Sequence, residues 1–138
     1  MRPAAVVATL VRVEYRVLIV DDNPSFLAAA RVLLERQGLL VLGVASRADE
    51  ALRQAETLRP EVVLVDIMLE DESGFDLARR LVARDRGRGT ALILISTHSE
   101  EDFTDLIAES PAVGFLPKSE LSADAIRRIL ESAGTATG

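Results

Sequence analysis

The sequence predicts an α/β chain built as a single doubly wound, five-stranded parallel sheet with five helices. Two patterns carry that expectation. Short, β-branched apolar runs too continuous to alternate read as strands buried on both faces, and a helical pattern follows each one. Right-handed crossovers between parallel strands then cover both faces of the sheet with helices. Size is the third observation. At 138 residues the chain suits one domain, and a globular chain near this length buries roughly 68–70% of the surface it exposes unfolded.

The first strand is Arg16-Val17-Leu18-Ile19-Val20, closed by Asp21-Asp22-Asn23-Pro24. The first helix follows, with Asn23 as N-cap, Pro24 at its first position, Phe26, Ala30, Leu33 and Leu34 on one face and Gly38 just past its end. Leu39 to Ala45 is the second strand. Ser46 with Asp49 three residues on resembles a capping box, opening a helix through Ala48, Ala51, Leu52 and Ala55 that stops before Pro60. Val62-Val63-Leu64-Val65 is the third strand, and Phe75, Ala78, Leu81 and Val82 form the third helical face. Arg84 to Gly89 reads as a solvated loop before the fourth strand, Ala91 to Ile95. The fourth helix carries Phe103, Leu106 and Ile107 behind Ser99 and Asp102. A weaker fifth strand, Ala112 to Leu116, leads to a helix with Ala125, Ile126, Ile129 and Leu130 behind Ser122.

Residues 1–14 are expected to be an N-terminal extension and 133–138 a flexible tail or the start of a linker, leaving 15–132 as the domain. The apolar run Ala4 to Val11 falls far short of the ~20 residues of a membrane span and lacks a clear cleavage site, so a cytoplasmic chain is expected.

Composition narrows the function. Apolar residues make up 49% and charged residues 28%, which is ordinary globular usage. Cysteine is absent, which excludes disulfides, thiolate metal sites and cysteine nucleophiles. His98 is the single histidine, too few for a multi-histidine metal site. A net charge of −6 argues against direct nucleic-acid binding by this domain, which would draw its affinity from cations on phosphates. The sole lysine is Lys118; every other basic residue is arginine.

Parallel strands all end on one edge of the sheet, and ligands bind in the crevice there. Asp21 and Asp22 follow the first strand, Asp66 the third, Ser96 and Thr97 the fourth, and Lys118 the fifth. Taken singly, each has a simpler reading: a helix cap for the Asp21 run, strand-end polarity for Ser96-Thr97, a solvated surface group for Lys118. Their convergence on one edge points to chemistry. Clustered carboxylates repel unless a cation shares the site. With only oxygen ligands on offer, the cation is a hard ion such as Mg²⁺. A carboxylate beside bound Mg²⁺ can act as nucleophile toward a phosphoryl group, with an ammonium neutralising the transferring oxygens.

Val17-Leu18-Ile19-Val20-Asp21-Asp22, then Val63-Leu64-Val65-Asp66-Ile67-Met68 with Gly74, then Ile93-Leu94-Ile95-Ser96 and Gly114-Phe115-Leu116-Pro117-Lys118 together resemble the response-regulator receiver domains of two-component signalling. The likeness runs from about Tyr15 to Leu130. It implies a flavodoxin-like fold with strand order 2-1-3-4-5 and a phosphoacceptor at Asp66. It also implies Mg²⁺ held by Asp21, Asp22, Asp66 and the backbone carbonyl of Met68. Ser96 matches the family's switch hydroxyl, Phe115 its rotating aromatic, which would turn inward on phosphorylation, and Lys118 its phosphate-binding lysine. The implied donor is a phosphohistidine on a sensor histidine kinase or phosphotransfer protein. The implied output face, also a possible homodimer surface, is the fourth helix, fifth strand and fifth helix. The chain departs from the family's common residues at Glu70 (often Pro), Thr97 (often Ala) and Ser119 (often Pro). The Lys-Ser-Glu-Leu stretch is more typical of regulators with a C-terminal helix-turn-helix domain.

Two other readings compete. A haloacid-dehalogenase-like Mg²⁺ phosphatase also forms an aspartyl phosphate, but on an Asp-x-Asp after the first strand, where this chain reads Asp21-Asp22-Asn23. A degenerate receiver serving only as an interaction module would lack some of the reactive positions, all of which are filled here.

Overall fold

A computed structural model describes residues 15–85 and 87–137; the expected extension, residues 1–14, lies outside the described residues. Five parallel strands, β1 (Arg16–Val20), β2 (Leu40–Ala45), β3 (Val62–Asp66), β4 (Ala91–Ser96) and β5 (Gly114–Pro117), form one sheet in the order β2-β1-β3-β4-β5. Helices α1 (Pro24–Arg36), α2 (Ala48–Leu58), α3 (Gly74–Asp85), α4 (Thr104–Glu109) and α5 (Ala123–Thr137) alternate with them. The fold class and strand order are those expected. The last helix runs through Thr137, five residues past the sequence-drawn boundary at 132.

The two-residue period of the strands divides the core into two layers. Leu18, Val20, Val63, Val65, Leu92 and Leu94 pack with Ala48, Ala51, Leu52, Leu77, Ala78 and Leu81 of α2 and α3. Val17, Ile19, Val62, Leu64, Ile93 and Ile95 pack with Leu27, Ala30 and Leu34 of α1 and with Ala123 and Ile126 of α5. The three central strands are thus apolar on both sides, which is why they read as unbroken runs.

The helix ends show where local signals suffice. Asn23 caps α1, its Oδ1 accepting from the N–H groups of Ser25 and Phe26 at 2.9 and 3.2 Å. Gly38, at φ +98°, makes the left-handed turn that ends it. Ser122 Oγ accepts the Ala125 N–H at 3.0 Å and opens α5.

Four expectations need correction. The buried face of α1 is Leu27, Ala30 and Leu34, while Leu33 is exposed. The face of α3 omits Val82, which is also exposed. The Ser46–Asp49 box does not form: Arg47 stands at the N-cap without a side-chain capping bond. Instead Asp71 Oδ2, from the loop after β3, accepts the Ala48 N–H at 3.0 Å, while Glu50 Oε1, one residue past Asp49, accepts the Ser46 N–H at 2.9 Å. The fourth helix is a 3₁₀ turn, Glu100–Phe103, followed by the six residues of α4. Only Phe103 and Ile107 there reach the core, and Leu106 is exposed.

Strand β2 lies at one edge of the sheet and carries a register shift opposite Val17 and Leu18. Side chains from both layers cover it: Arg31 Nη2 donates to the Val41 carbonyl at 3.3 Å and Gln54 Nε2 to the Val44 carbonyl at 2.9 Å. Among the described residues, no helix is long and apolar enough to cross a membrane.

Candidate functional site

The ends of β1, β3 and β5 bring Asp21, Asp66 and Lys118 together, with Asp22 beside them. Asp21 is fully buried; its N–H donates to the Ala45 carbonyl at 3.0 Å, fixing the residue to the end of β2. Its Oδ1 accepts the Asn23 N–H at 2.8 Å. Asp66, the last residue of the central strand, is 5% exposed, and its Oδ1 accepts the Met68 N–H at 3.1 Å. Asp21, Asp22 and Asp66 each offer a carboxylate oxygen within 4.8 Å of the others. Lys118 Nζ lies 2.6 Å from Asp21 Oδ2 and 3.4 Å from Asp66 Oδ2.

This is an electrostatically loaded site. Burial pushes the Asp66 pKa above the ordinary carboxylate value. The Met68 N–H works against burial, the Asp21 charge adds to it, and Lys118 opposes it. For Lys118 burial favours the neutral amine. Its close contact with Asp21 and the charges of Asp66 and Asp21 outweigh that and hold its pKa above the usual lysine value.

The donor set fits a hard divalent cation. All three groups are oxygen ligands, and Asp21 Oδ2 is buried with no hydrogen bond of good geometry, balanced only by the lysine charge. One ammonium among three carboxylates leaves an excess of negative charge that an ion would neutralise.

The remaining expected residues surround this cluster. Ser96 ends β4 and is 1% exposed; its Oγ accepts the His98 N–H at 2.9 Å. Met68 touches the cluster through its backbone N–H, while its side chain is exposed. Phe115 is already packed inward, buried with the layer that contains Leu94 and Phe75. His98 is exposed and meets the Phe103 ring edge-on at 5.9 Å. Glu70, Thr97 and Ser119 are all exposed.

Two contributors were not singled out from sequence. Gly74 opens α3 directly beneath Asp66: a Cβ there would stand 2.1 Å from the Asp66 carbonyl oxygen and 2.7 Å from Ile67 Cα. Its N–H also bonds the Ile67 carbonyl at 2.7 Å. The fixed distance from Asp66 was visible as a motif, but not the close approach behind it. Phe26, visible only as part of a helical face, sets its ring centre 4.6 Å from Lys118 Nζ.

With this geometry in view, comparisons with known proteins agree with one another. The family model described as the response regulator receiver domain matches residues 17–131. The response regulator GacA of Pseudomonas viridiflava is 31% identical over 116 residues, covering 83% of this chain and 53% of that protein. The DNA-binding transcriptional activator EvgA of Escherichia coli is 28% identical over 103 residues, covering 75% and 50%. The chain thus spans about half the length of the curated relatives it matches. Among solved structures, the signal receiver domain of a modulated diguanylate cyclase from Desulfovibrio desulfuricans G20 shares 35% identity at a TM-score of 0.71, covering 86% of this chain and 92% of that one. The signal receiver domain of the response regulator NarL from Mycobacterium tuberculosis shares 26% at 0.73, covering 88% and 97%.

Proposed function

The chain belongs to the response-regulator receiver-domain family, and from that membership we propose that it is a phosphorylation-controlled signalling switch with Asp66 as its phosphoacceptor. The observation that carries this reading is the buried Asp66 carboxylate at the end of the central strand, beside two further carboxylates and the only lysine of the chain. The donor is a phosphohistidine of a sensor histidine kinase or phosphotransfer protein. An Asp66 oxygen attacks phosphorus, an O–P bond forms, the P–N bond to histidine breaks, and the departing imidazole nitrogen takes up a proton.

The chain's own residues prepare that step. The Met68 N–H holds Asp66 Oδ1, which leaves Oδ2 on the Lys118 side. Lys118 neutralises charge on the transferring oxygens. Asp21, Asp22, Asp66 and the Met68 carbonyl would hold Mg²⁺, which when bound supplies further neutralisation at those oxygens. The Ser96 oxygen already accepts from His98, so its proton is free to donate to a phosphoryl oxygen. The added group carries roughly −1.5 to −2 charges, enough to draw Ser96 in. Because Phe115 is packed inward, the Ser96 shift would hold the ring in place rather than recruit it. The output surface is α4, β5 and α5, which either a partner protein or a second copy would use, and the setting is cytoplasmic.

Incubation with acetyl phosphate and Mg²⁺, followed by intact mass, tests the assignment. The parent is expected to gain one phosphoryl group, and Asp66→Asn and a chelated sample none. Equal labelling of Asp66→Asn, or labelling indifferent to chelator, would overturn it.

A further inference from the structure

Among the described residues, the Lys118 ammonium has three partners. Two are carboxylates of the acid cluster, Asp21 at 2.6 Å and Asp66 at 3.4 Å. Both are groups that a bound cation or a phosphoryl group would claim. The third is the Phe26 ring, whose centre lies 4.6 Å from Nζ. An aromatic face attracts an ammonium through its quadrupole and binds no hard metal ion, so this contact does not compete with occupation of the site. It also imposes little direction on the three N–H donors of the ammonium, which stay free to turn toward oxygen.

We propose that Phe26 is a positioning residue for phosphoryl transfer, its ring keeping the Lys118 ammonium over the site while the lysine exchanges a carboxylate partner for a phosphoryl oxygen. The proposal rests on the phosphoacceptor reading above. Without the ring, a flexible four-carbon stem would be held only by contacts that the arriving ion and phosphoryl group disrupt.

The ring's own position is fixed by a closed circuit of contacts. Asp21 Oδ1 accepts from the Asn23 N–H at 2.8 Å, and Asn23 Oδ1 accepts from the Phe26 N–H at 3.2 Å. The Phe26 ring faces Lys118, and Lys118 returns to Asp21 Oδ2. The ring further packs against the core layer of β1 and α1. The cap that starts α1 therefore also sets the distance between the aromatic face and the acid cluster.

A single lysine makes the contact directly readable, since isotope labelling of lysine alone gives one side-chain signal. In the metal-free parent, the Lys118 Hε resonance is expected upfield of its position in the unfolded chain, shifted by the ring. Phe26→Leu should lose that shift and Phe26→Tyr keep it. With acetyl phosphate and saturating Mg²⁺, Phe26→Leu should be labelled about 3- to 10-fold more slowly, and Phe26→Tyr should recover the parent rate to within about twofold. Mg²⁺ affinity by calorimetry should be the same in all three. Phe26→Met, ringless and of similar volume, replaces the leucine variant should that one not fold.

An unshifted lysine signal in the parent overturns the proposal, as do equal labelling rates in the parent and Phe26→Leu. Slowing of equal size in Phe26→Leu and Phe26→Tyr also overturns it, because the ring would then serve packing alone. Failure of the parent to take up a phosphoryl group defeats the phosphoacceptor reading instead, and the lysine signal still decides whether the ring holds the ammonium.

Discussion

Asp66 is held in a state that favours its protonated form, and the consequence for stability has a definite sign. A carboxyl whose folded pKa is raised, here by burial first and by Asp21 next, stabilises the fold when protonated. Metal-free stability should therefore fall as pH rises from the ordinary carboxylate value through the raised one. Lys118 contributes with the same sign at the far end of the scale. Its raised pKa gives stability that is present below the ordinary lysine value and lost as pH climbs through the folded one. Asp66→Asn should flatten the acid-side slope and raise the metal-free melting temperature near neutral pH by roughly 2–8 °C, the span that ~1 kcal/mol produces in domains of about this size; thermal melts in chelator across pH 4–8 check it, and a lower melting temperature for the variant contradicts the sign. Gly74 gives a second expectation. A methyl at that position meets the Asp66 backbone at 2.1 Å, so Gly74→Ala should cost about 3 kcal/mol or more in urea unfolding. The acids and the lysine were legible from sequence because strand ends fix their place. The roles of Gly74 and Phe26 were not, since each depends on how closely separate segments approach.

Among the elements, those with local signals were read correctly and those capped from a distance were not. The Asn23-Pro24 start and Gly38 stop of α1 are contained in a few adjacent residues. The start of α2 is completed by Asp71, which lies 23 residues away from Ala48 in sequence. That difference is measurable: Asp71→Ala should destabilise the protein by about 1 kcal/mol, as loss of a cap does, and Ser46→Ala should have little effect. Comparable losses in chemical denaturation would restore the local capping box. The fourth helix is less buried than its pattern implies for a related reason. Its spacing of Phe103, Leu106 and Ile107 resembles a buried stripe, but no residue of the 3₁₀ turn or α4 is fully buried. Periodicity alone does not report how far a helix stands from the sheet.

For the whole molecule, the order of the strands and their two buried faces followed from apolar runs and a family likeness, and the structure reproduces both. Cation binding should couple to global stability, because an ion that occupies only the folded acid cluster shifts the unfolding equilibrium by mass action. At a Mg²⁺ concentration 100 times its Kd the gain is about 2.7 kcal/mol. Denaturant titrations with and without Mg²⁺ should show that gain in the parent and lose most of it in Asp21→Asn, and identical midpoints would remove the ion from the site. The covered edge of the sheet has a different consequence. A bare edge strand offers its free carbonyls and N–H groups as a template on which a foreign chain can extend the ladder, the first step toward fibrils. On β2, Arg31 and Gln54 occupy two of those carbonyls and the register shift breaks the regular spacing. At the opposite edge β5 has only four residues and ends on a proline, which has no N–H to offer. Strand addition is thus discouraged on both flanks, so copies of this protein crowded together in a cell have little to gain by pairing through their sheets.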